Sequence, residues 1–422
     1  MTDPTQKQVT EARIAQVVRA SHGRLVAWMA SRTGDIAGAE DALSEAYRAA
    51  VERWPTMGMP DNPAAWLLTV ARNRLKDEYK SAYHRTSTRL FADDGEAMEI
   101  AVPATALESD DFPDERLKLM FAAAHPAIDE AIRAPLILQT VLGLEAAEIA
   151  RLFLVPPATM AQRLVRAKTK IRDARIPFVI PGREQWPERL EAVLEAIYGA
   201  YSAGLDDGSD GTEDRGLEAL HLADLLAVLL PRDAEALGLA SLLCFSASRA
   251  EARFTSGGDF VPLDEQDPSD WDPALIAQGA ALLARAAALK RLGRFQLEAA
   301  VHAVHADRRR TGATHWAAVA QLYAGLAELA PTHGVLVARA WAVGQAHGVA
   351  AGFAALAQLE PTVAQSWPPA LICAALMHER AGSLGDAHAA GRAALTQSMH
   401  APYRAWLARK VAAWEAALAT SE

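Results

Sequence analysis

Cysteine is almost absent: Cys244 and Cys373 are the two in 422 residues, and they stand far apart in alanine-rich text. A disulfide framework needs several paired cysteines and a structural zinc site needs clustered ones, so both read as small core residues. Aromatic side chains make up 6% of the chain. Alternating β-branched runs are almost missing too, which argues against a sheet. No uncharged apolar stretch reaches the roughly 18 residues of a membrane span. The opening MTDPTQKQVTEARIAQ lacks the basic start and apolar segment of a signal peptide, and the expected location is the cytoplasm. Also missing are a Gly-rich phosphate loop, a G-x-S-x-G elbow and any Cys/His pairing. No nucleophile, acid pair or metal set stands out, so neither catalysis nor a cofactor is expected. His302 and His305, three apart, come nearest to a metal site, but two ligands are weak evidence against a packing or capping role.

What is there is apolar and helical. Hydrophobic residues are 51% and charged residues 22%, enough to bury a sizeable core, and the length suggests two to four domains. Apolar residues recur at three and four, as in Ile14, Val17, Val18, Leu25, Trp28 and Met29, so an all-α chain is predicted. The net charge of −10 speaks against a phosphate partner until it is divided. Residues 1–90 carry +3 and residues 145–175 carry +4, whereas 91–115 hold nine acids and no base and 176–422 carry −9. Two basic modules thus flank an acidic tether, and an acidic half follows.

Punctuation sets the expected boundaries: a first module over 1–90, an acidic flexible linker over 91–115, a second module over 116–180 and a helical extension over 181–422, its edge marked by Pro177, Pro181, Gly182 and Pro187. In the extension, turn signals such as Arg308–Thr314, Pro331–Gly334, Glu360–Pro369 and Ala381–Gly385 recur about every 25 to 35 residues, the spacing of stacked helix pairs. The predicted helices are Phe295–Ala306, Trp316–Ala330, Val335–His347, Ala350–Leu359, Leu371–Ala381 and Ala387–Gln397. Asp259, Phe260 and the acidic stretch Asp264–Asp272 with Trp271 either clamp over the basic modules or pad this array.

The stretch EAAEIARLFLVPPATMAQRLVRAKTKIRDA, 145–174, reads as a helix-turn-helix. Leu154-Val155-Pro156-Pro157 breaks the first helix, and a second starts near Ala158 or Thr159, with Pro157 tolerated in its first turn and Thr159 available to its amides. Met160, Leu164 and Ile171 face inward. Gln162, Arg163, Arg166, Lys168, Lys170 and Arg172 face out, the composition that a helix in the major groove requires. Upstream, 35–54 predicts a helix with Ala39, Leu43, Ala46, Tyr47 and Ala50 inward and Glu40, Asp41, Glu45, Arg48 and Glu52 outward. A turn over Pro55–Pro63 leads to a basic helix, 64–80, where Arg72, Asn73, Arg74, Lys76 and Lys80 stand beside Trp66. That surface suits single-stranded DNA with unstacked bases; a plain three-helix core explains Trp66, Leu67 and Val70 equally well.

The pattern AEDALSEAYRAAVERWP…NPAAWLLTVARNRLKDEYK, an acidic linker, then EIARLFLVPPATMAQRLVRAKTKIRDARIPF resembles the extracytoplasmic-function (ECF) sigma factors of bacterial RNA polymerase over residues 11–178. The C-terminal text is similar to the subfamily with a long tetratricopeptide-like (TPR-like) extension. The resemblance implies two small helical sigma domains, core RNA polymerase and promoter DNA as partners, and no cofactor. It implies that Glu40, Asp41, Glu45 and Arg48 dock on the clamp helices of the β′ subunit. Asn62, Trp66, Arg72, Asn73, Lys76 and Asp77 would melt and read the minus-ten element. Thr159, Gln162, Arg163, Val165, Arg166 and Lys168 would read the minus-thirty-five element, the second sigma domain resting on the β flap. Ala161 stands where many relatives carry a base, and Ala123 and Ala124 where relatives with this extension often carry cysteines. A one-component helix-turn-helix regulator with a C-terminal sensor, and a peptide-binding scaffold, are the competing readings. The basic helix with Trp66 favours the sigma reading, since a one-component regulator has no need of a strand-melting surface.

Overall fold

The computed structural model describes residues 22, 25–26, 28–30, 36–86, 114–174, 176, 181–206, 213–397 and 399–420; within its helices the side chains at 36–37, 76–86, 115, 206 and 213–214 lie outside the description. Among the described residues regular structure is helical, apart from one isolated antiparallel bridge between Phe254 and Phe260. Packing divides the chain into two compact units, residues 1–225 and 226–422. No helix among the described residues is long and apolar enough to cross a membrane.

The first unit opens with α1 (Ile36–Met57) and α2 (Pro63–Thr86) packed together. Ala39, Leu43, Ala46 and Ala50 of α1 and Leu67, Ala71 and Leu75 of α2 are buried, as are Leu25, Val26 and Met29. Three-and-four spacing puts these residues on single faces. α1 stops at Gly58, whose φ of +81° suits a residue without Cβ and whose N–H donates to the Trp54 carbonyl at 3.0 Å. Then come α3 (Glu115–Ala123), α4 (Glu130–Thr140), α5 (Ala146–Leu152) and α6 (Pro157–Asp173). Asp114 and Asp129 cap α3 and α4 by accepting from the N–H groups of Arg116 and Ala131 at 2.7 and 3.1 Å.

The next helices, α7 (Pro187–Asp206) and α8 (Glu213–Leu229), continue the same unit. α7 packs on α3, α4 and α5. Arg189 is 4% exposed and donates Nη1 to the Phe121 carbonyl at 2.9 Å. Trp186 packs beside Phe121 with ring centroids 5.5 Å apart and donates Nε1 to the Pro181 carbonyl at 3.1 Å. On α8, Arg215 pairs with Glu148 of α5 at 2.8 Å, and Glu218 pairs with Arg116 of α3.

In the second unit α9 (Ala234–Ala247) is buried almost throughout, flanked by α10 (Pro273–Ala288) and α11 (Arg294–Ala306). The approach of α9 to α11 is close: a Cβ added at Gly238 would lie 2.6 Å from the Gln296 nitrogen. Glu235 completes this junction by accepting from the N–H groups of Phe295 and Gln296 at 3.0 and 3.1 Å. These are helix-start amides with no carbonyl partner of their own. The array continues with α12 (Trp316–Leu329), α13 (His333–His347), α14 (Val349–Leu356), α15 (Pro361–Ser366), α16 (Pro368–Arg380), α17 (Leu384–Leu395) and α18 (Ala401–Ala419). The predicted helices agree to within a few residues, and the expected turn over Glu360–Pro369 holds the short α15.

Small apolar clusters follow one another along this array. Leu297, Leu326 and Val335 form one, Val301, Val319 and Ala342 the next. Val337, Leu356 and Met377 form a third, and Leu371, Leu407 and Trp414 a fourth. Each pair of helices thus buries its face against its neighbours, as in a solenoid. The acidic loop between α9 and α10 is used within its own unit: Asp259 pairs with Arg409 at 2.7 Å and Phe260 meets Tyr403 at 4.5 Å between centroids. Trp271, 1% exposed, lies under the Arg308 guanidinium, which donates to the carbonyls of Leu263 and Gln266 at 2.9 and 2.6 Å. Cys244 and Cys373 are both buried and form no disulfide, and burial pushes the Cys373 thiol up to about 12. They are core residues, as their surroundings in the sequence implied.

Gly238→Ala forces a methyl into backbone, so we expect a loss of roughly 1–3 kcal/mol by urea denaturation followed at 222 nm, with an unchanged helical signal before the transition. Equal stability would contradict the close α9–α11 packing.

Candidate nucleic-acid interface

The two surfaces picked out by sequence are built differently. On α1, Asp41, Arg48 and Glu52 are exposed, and Arg48 pairs with Glu45 one turn away. Glu40 is not free on that face. Its Oε2 lies 2.6 Å from Lys168 Nζ of α6, both side chains less than a quarter exposed. Burial pushes the Glu40 carboxyl up, and the Lys168 ammonium offsets only part of that rise. Close by, His22 Nδ1 is 3.1 Å from the Tyr47 hydroxyl, and a Cβ at Gly143 would lie 3.4 Å from His22 Cδ2. Burial first, and Lys168 second, hold the His22 imidazole below its ordinary value, while burial pushes the Tyr47 phenol up. Within the first unit, therefore, α1 and the second helix of the helix-turn-helix touch.

The basic helix is held by its start. Asn62 accepts from the Ala65 N–H at 3.0 Å through its side-chain oxygen, while its carbonyl accepts from the Trp66 N–H at 3.2 Å. The side-chain carbonyl of Asn62 is thus engaged in capping α2. Trp66 is half-buried with its ring against Trp54 at 5.4 Å, so part of the indole packs and part faces solvent. Arg72, Asn73 and Arg74 are exposed on α2. Lys76 and Asp77 belong to α2, but their side chains lie outside the described residues, as does that of Lys80.

In the helix-turn-helix, Glu145 and Glu148 form a capping box at the start of α5, the Glu145 N–H donating to Glu148 Oε2 at 2.7 Å. The turn carries Leu154 at φ +52°, a left-handed conformation in a residue that is 61% exposed. α6 starts at Pro157, one residue earlier than the sequence suggested. Its N-cap is Pro156, with no side-chain cap bond, so Thr159 is not a capping residue and is half-buried. Met160, Leu164 and Ala167 are buried, whereas Ile171 is half-buried. Gln162, Arg163, Val165 and Arg166 are exposed together on the outer face. Lys168 is spent on Glu40, and Lys170 donates to the Ala127 carbonyl at 2.7 Å.

Sequence reading missed the arginines that brace this unit. Arg116, Arg189 and Arg215 act over sequence separations of 102, 68 and 67 residues, and no local spacing announces such partners. It missed His22 for the same reason. The exposed trio Gln162, Arg163 and Arg166 presents two guanidiniums and an amide, groups of the kind that can pair with base edges, and Arg72 and Arg74 are exposed cations on α2. Among the described residues no cluster of three or more His, Cys, Asp or Glu is placed to hold a metal ion; His302 and His305 lie elsewhere, in the second unit.

Residues 17–85 match the family model of sigma-70 region 2, and residues 189–287 match a family of unknown function (DUF6596). Uncharacterized protein R00370 of Rhizobium meliloti (strain 1021) is 37% identical over 330 residues, 76% of this chain and 77% of that protein. Probable RNA polymerase sigma factor RfaY of Xanthomonas campestris pv. campestris is 27% identical over 165 residues, 37% of this chain and 39% of that protein. No solved structure matches.

Glu148 gives this site a pH dependence. Its partial desolvation is outweighed by the Glu145 N–H and the Arg215 guanidinium, so its carboxyl sits below the ordinary value. A depressed folded value means that the stabilisation is present above the unfolded carboxylate range and is lost as pH falls through the folded value. Stability to urea followed by circular dichroism should therefore decline as pH falls through the ordinary carboxylate range to the lowered Glu148 value, and Glu148→Gln should flatten that part of the profile. An unaltered profile in the variant would remove Glu148 from the account.

Proposed function

We take as premise that this chain belongs to the sigma-70-type sigma-factor family, as an ECF-like member with a C-terminal DUF6596 extension, and that R00370 belongs with it; from this we propose how its surfaces act. The sigma-factor role is binding without catalysis: the polymerase makes the bonds and this subunit places it. In our reading Asp41, Glu45 and Arg48, with Glu40, dock on the β′ clamp helices. Asn62, Trp66, Arg72 and Asn73, with Lys76 and Asp77, open and hold the minus-ten strand. Thr159, Gln162, Arg163, Val165 and Arg166, with Lys168, read the minus-thirty-five duplex while the second sigma domain rests on the β flap. The helical extension regulates this activity.

The observation that carries the reading is the co-occurrence in one compact unit of an exposed cationic face beside a half-buried tryptophan on α2 and an exposed Gln162–Arg163–Arg166 face on α6. Strand capture needs stacking and phosphate contacts; duplex reading needs donors on a helix that fits the major groove. The Lys168–Glu40 pair adds a step. While it holds, the docking face and the reading helix cover part of each other, so joining polymerase and promoter separates them. Removing one partner of a pair this sheltered is costlier than its net contribution to stability, which suits a contact that opens by moving both partners into new ones.

In run-off transcription with core polymerase on a randomised promoter pool, the full chain should select a two-element promoter. Arg163→Ala should relax one or two minus-thirty-five positions by roughly 1–3 kcal/mol, and rising salt should weaken binding steeply. Failure to join core polymerase would end the sigma reading. Spin labels at Ser44→Cys and Ala158→Cys, exposed on α1 and α6 in a chain whose own two cysteines are buried, should move apart when core polymerase is added. An unchanged distance would rule out the separation.

A further inference from the structure

One cavity of the second unit, about 260 Å³, is walled by Arg249, Arg253, His302 and His305 and is braced by its own bonds. Arg249 Nη2 lies 2.9 Å from His302 Nδ1, and Arg253 Nη2 donates to the Tyr403 hydroxyl at 3.1 Å. A larger cavity, about 450 Å³, opens between the loop after α9, the start of α12, helix α13, the end of α16 and helix α18. Its volume falls in the range of small-molecule sites. Three tryptophans line it: Trp316 of α12, Trp341 of α13 and Trp406 of α18. Each is half-buried and rests on a different apolar cluster. Trp316 packs on that of Val301 and Val319, Trp341 on that of Val337 and Met377, and Trp406 on that of Leu371 and Leu407. The helix stack thus fixes three indoles around one space.

Three acids and three bases share the wall, and they are unequally engaged. Lys410 Nζ donates to the two Glu379 carboxylate oxygens at 3.2 and 3.1 Å, and Glu379 also accepts from Trp414 Nε1 at 2.8 Å. Arg308 donates to the Leu263 and Gln266 carbonyls and lies over Trp271. That leaves Asp264 and Glu265, adjacent on the loop, and Arg380, exposed at the end of α16. Desolvation pushes the Asp264 carboxyl above its ordinary value; the Arg308 charge and a hydrogen bond from the Trp341 side chain offset only part of that rise. A carboxylate in that state gains from a cation beside it. Indole rings attract the same sign of charge.

We propose that this cavity binds a small organic ammonium on a flat apolar body, the nitrogen beside Asp264 and Glu265 and the body among Trp316, Trp341 and Trp406. An anion would meet two carboxylates on the loop, with Arg380 the base least committed elsewhere. The ammonium can belong to a simple amine or to an amino acid, whose carboxylate would then turn to Arg380. Occupancy of the site is measurable with neither polymerase nor DNA, so the proposal stands or falls apart from the promoter reading.

The test is calorimetric titration of the full-length protein at neutral pH with tryptamine, with tryptophan, and with indole-3-propionate, which has the same ring and a carboxylate in place of the amine. Saturable one-site binding of tryptamine or tryptophan, roughly tenfold or more tighter than the propionate, is the expected result. The tighter of the two tells a simple amine from an amino acid. Asp264→Asn, which keeps an oxygen for the Trp341 side chain, should weaken that binding roughly fivefold or more while the thermal midpoint stays within a few degrees. Should that variant unfold, Glu265→Gln is read in its place. Arg380→Gln should weaken tryptophan binding and leave tryptamine binding within a few-fold. The proposal is overturned if neither amine binds the folded wild-type chain, if the propionate binds as tightly, if a folded acid variant binds like wild type, or if Arg380→Gln abolishes tryptamine binding.

Discussion

The buried guanidinium of Arg189 ties the helix-turn-helix to the chain that follows it. A module of about 60 residues buries a smaller fraction of its surface than a larger domain does and is marginal alone. Here α7 lays Trp186 and Arg189 against Phe121, and the Arg189–Phe121 bond places a charged group where solvent is excluded. Such a group is costly unless hydrogen-bonded, so its partner carbonyl on α3 and the position of α7 are mutually required. Arg215–Glu148 and Arg116–Glu218 extend the same bracing to α8. Helix α6 is thereby held by Met160 and Leu164 beneath it, with Gln162, Arg163 and Arg166 exposed on its outer face.

That division of labour recurs. Side chains assigned to recognition are mostly exposed, whereas those assigned to the core are small and apolar. Where the division fails, the exceptions carry information. Glu40 and Lys168 were expected on separate binding surfaces yet bond to each other, and Asn62 caps the helix whose surface it was expected to serve. Both side chains stabilise one local arrangement, and binding would have to compete with it.

The extension works by a different principle. Among the described residues small apolar clusters succeed one another along it, so each pair of helices depends on its neighbours. The acidic loop after α9 is one such specialisation. Its charge at Asp259 and its rings at Phe260 and Trp271 are met by Arg409, Tyr403 and Arg308, and the same folding back encloses the cavity lined by Arg249 and His302.

Helix content, the break at Leu154–Pro157, the inward faces of α1 and α6, and the burial of both cysteines were legible from the amino-acid order alone, because helical periodicity, proline geometry and capping act within a few residues. The outward Arg163 and Arg166 were legible for the same reason. Three-dimensional packing alone decided that Lys168 meets Glu40, that Arg189 closes the helix-turn-helix from beyond a proline cluster, and that His302 and His305 share a wall with two arginines instead of a metal ligand set. Those partners lie from tens of residues to well over a hundred apart, and burial and long-range pairing are properties of the folded surface that no local spacing encodes.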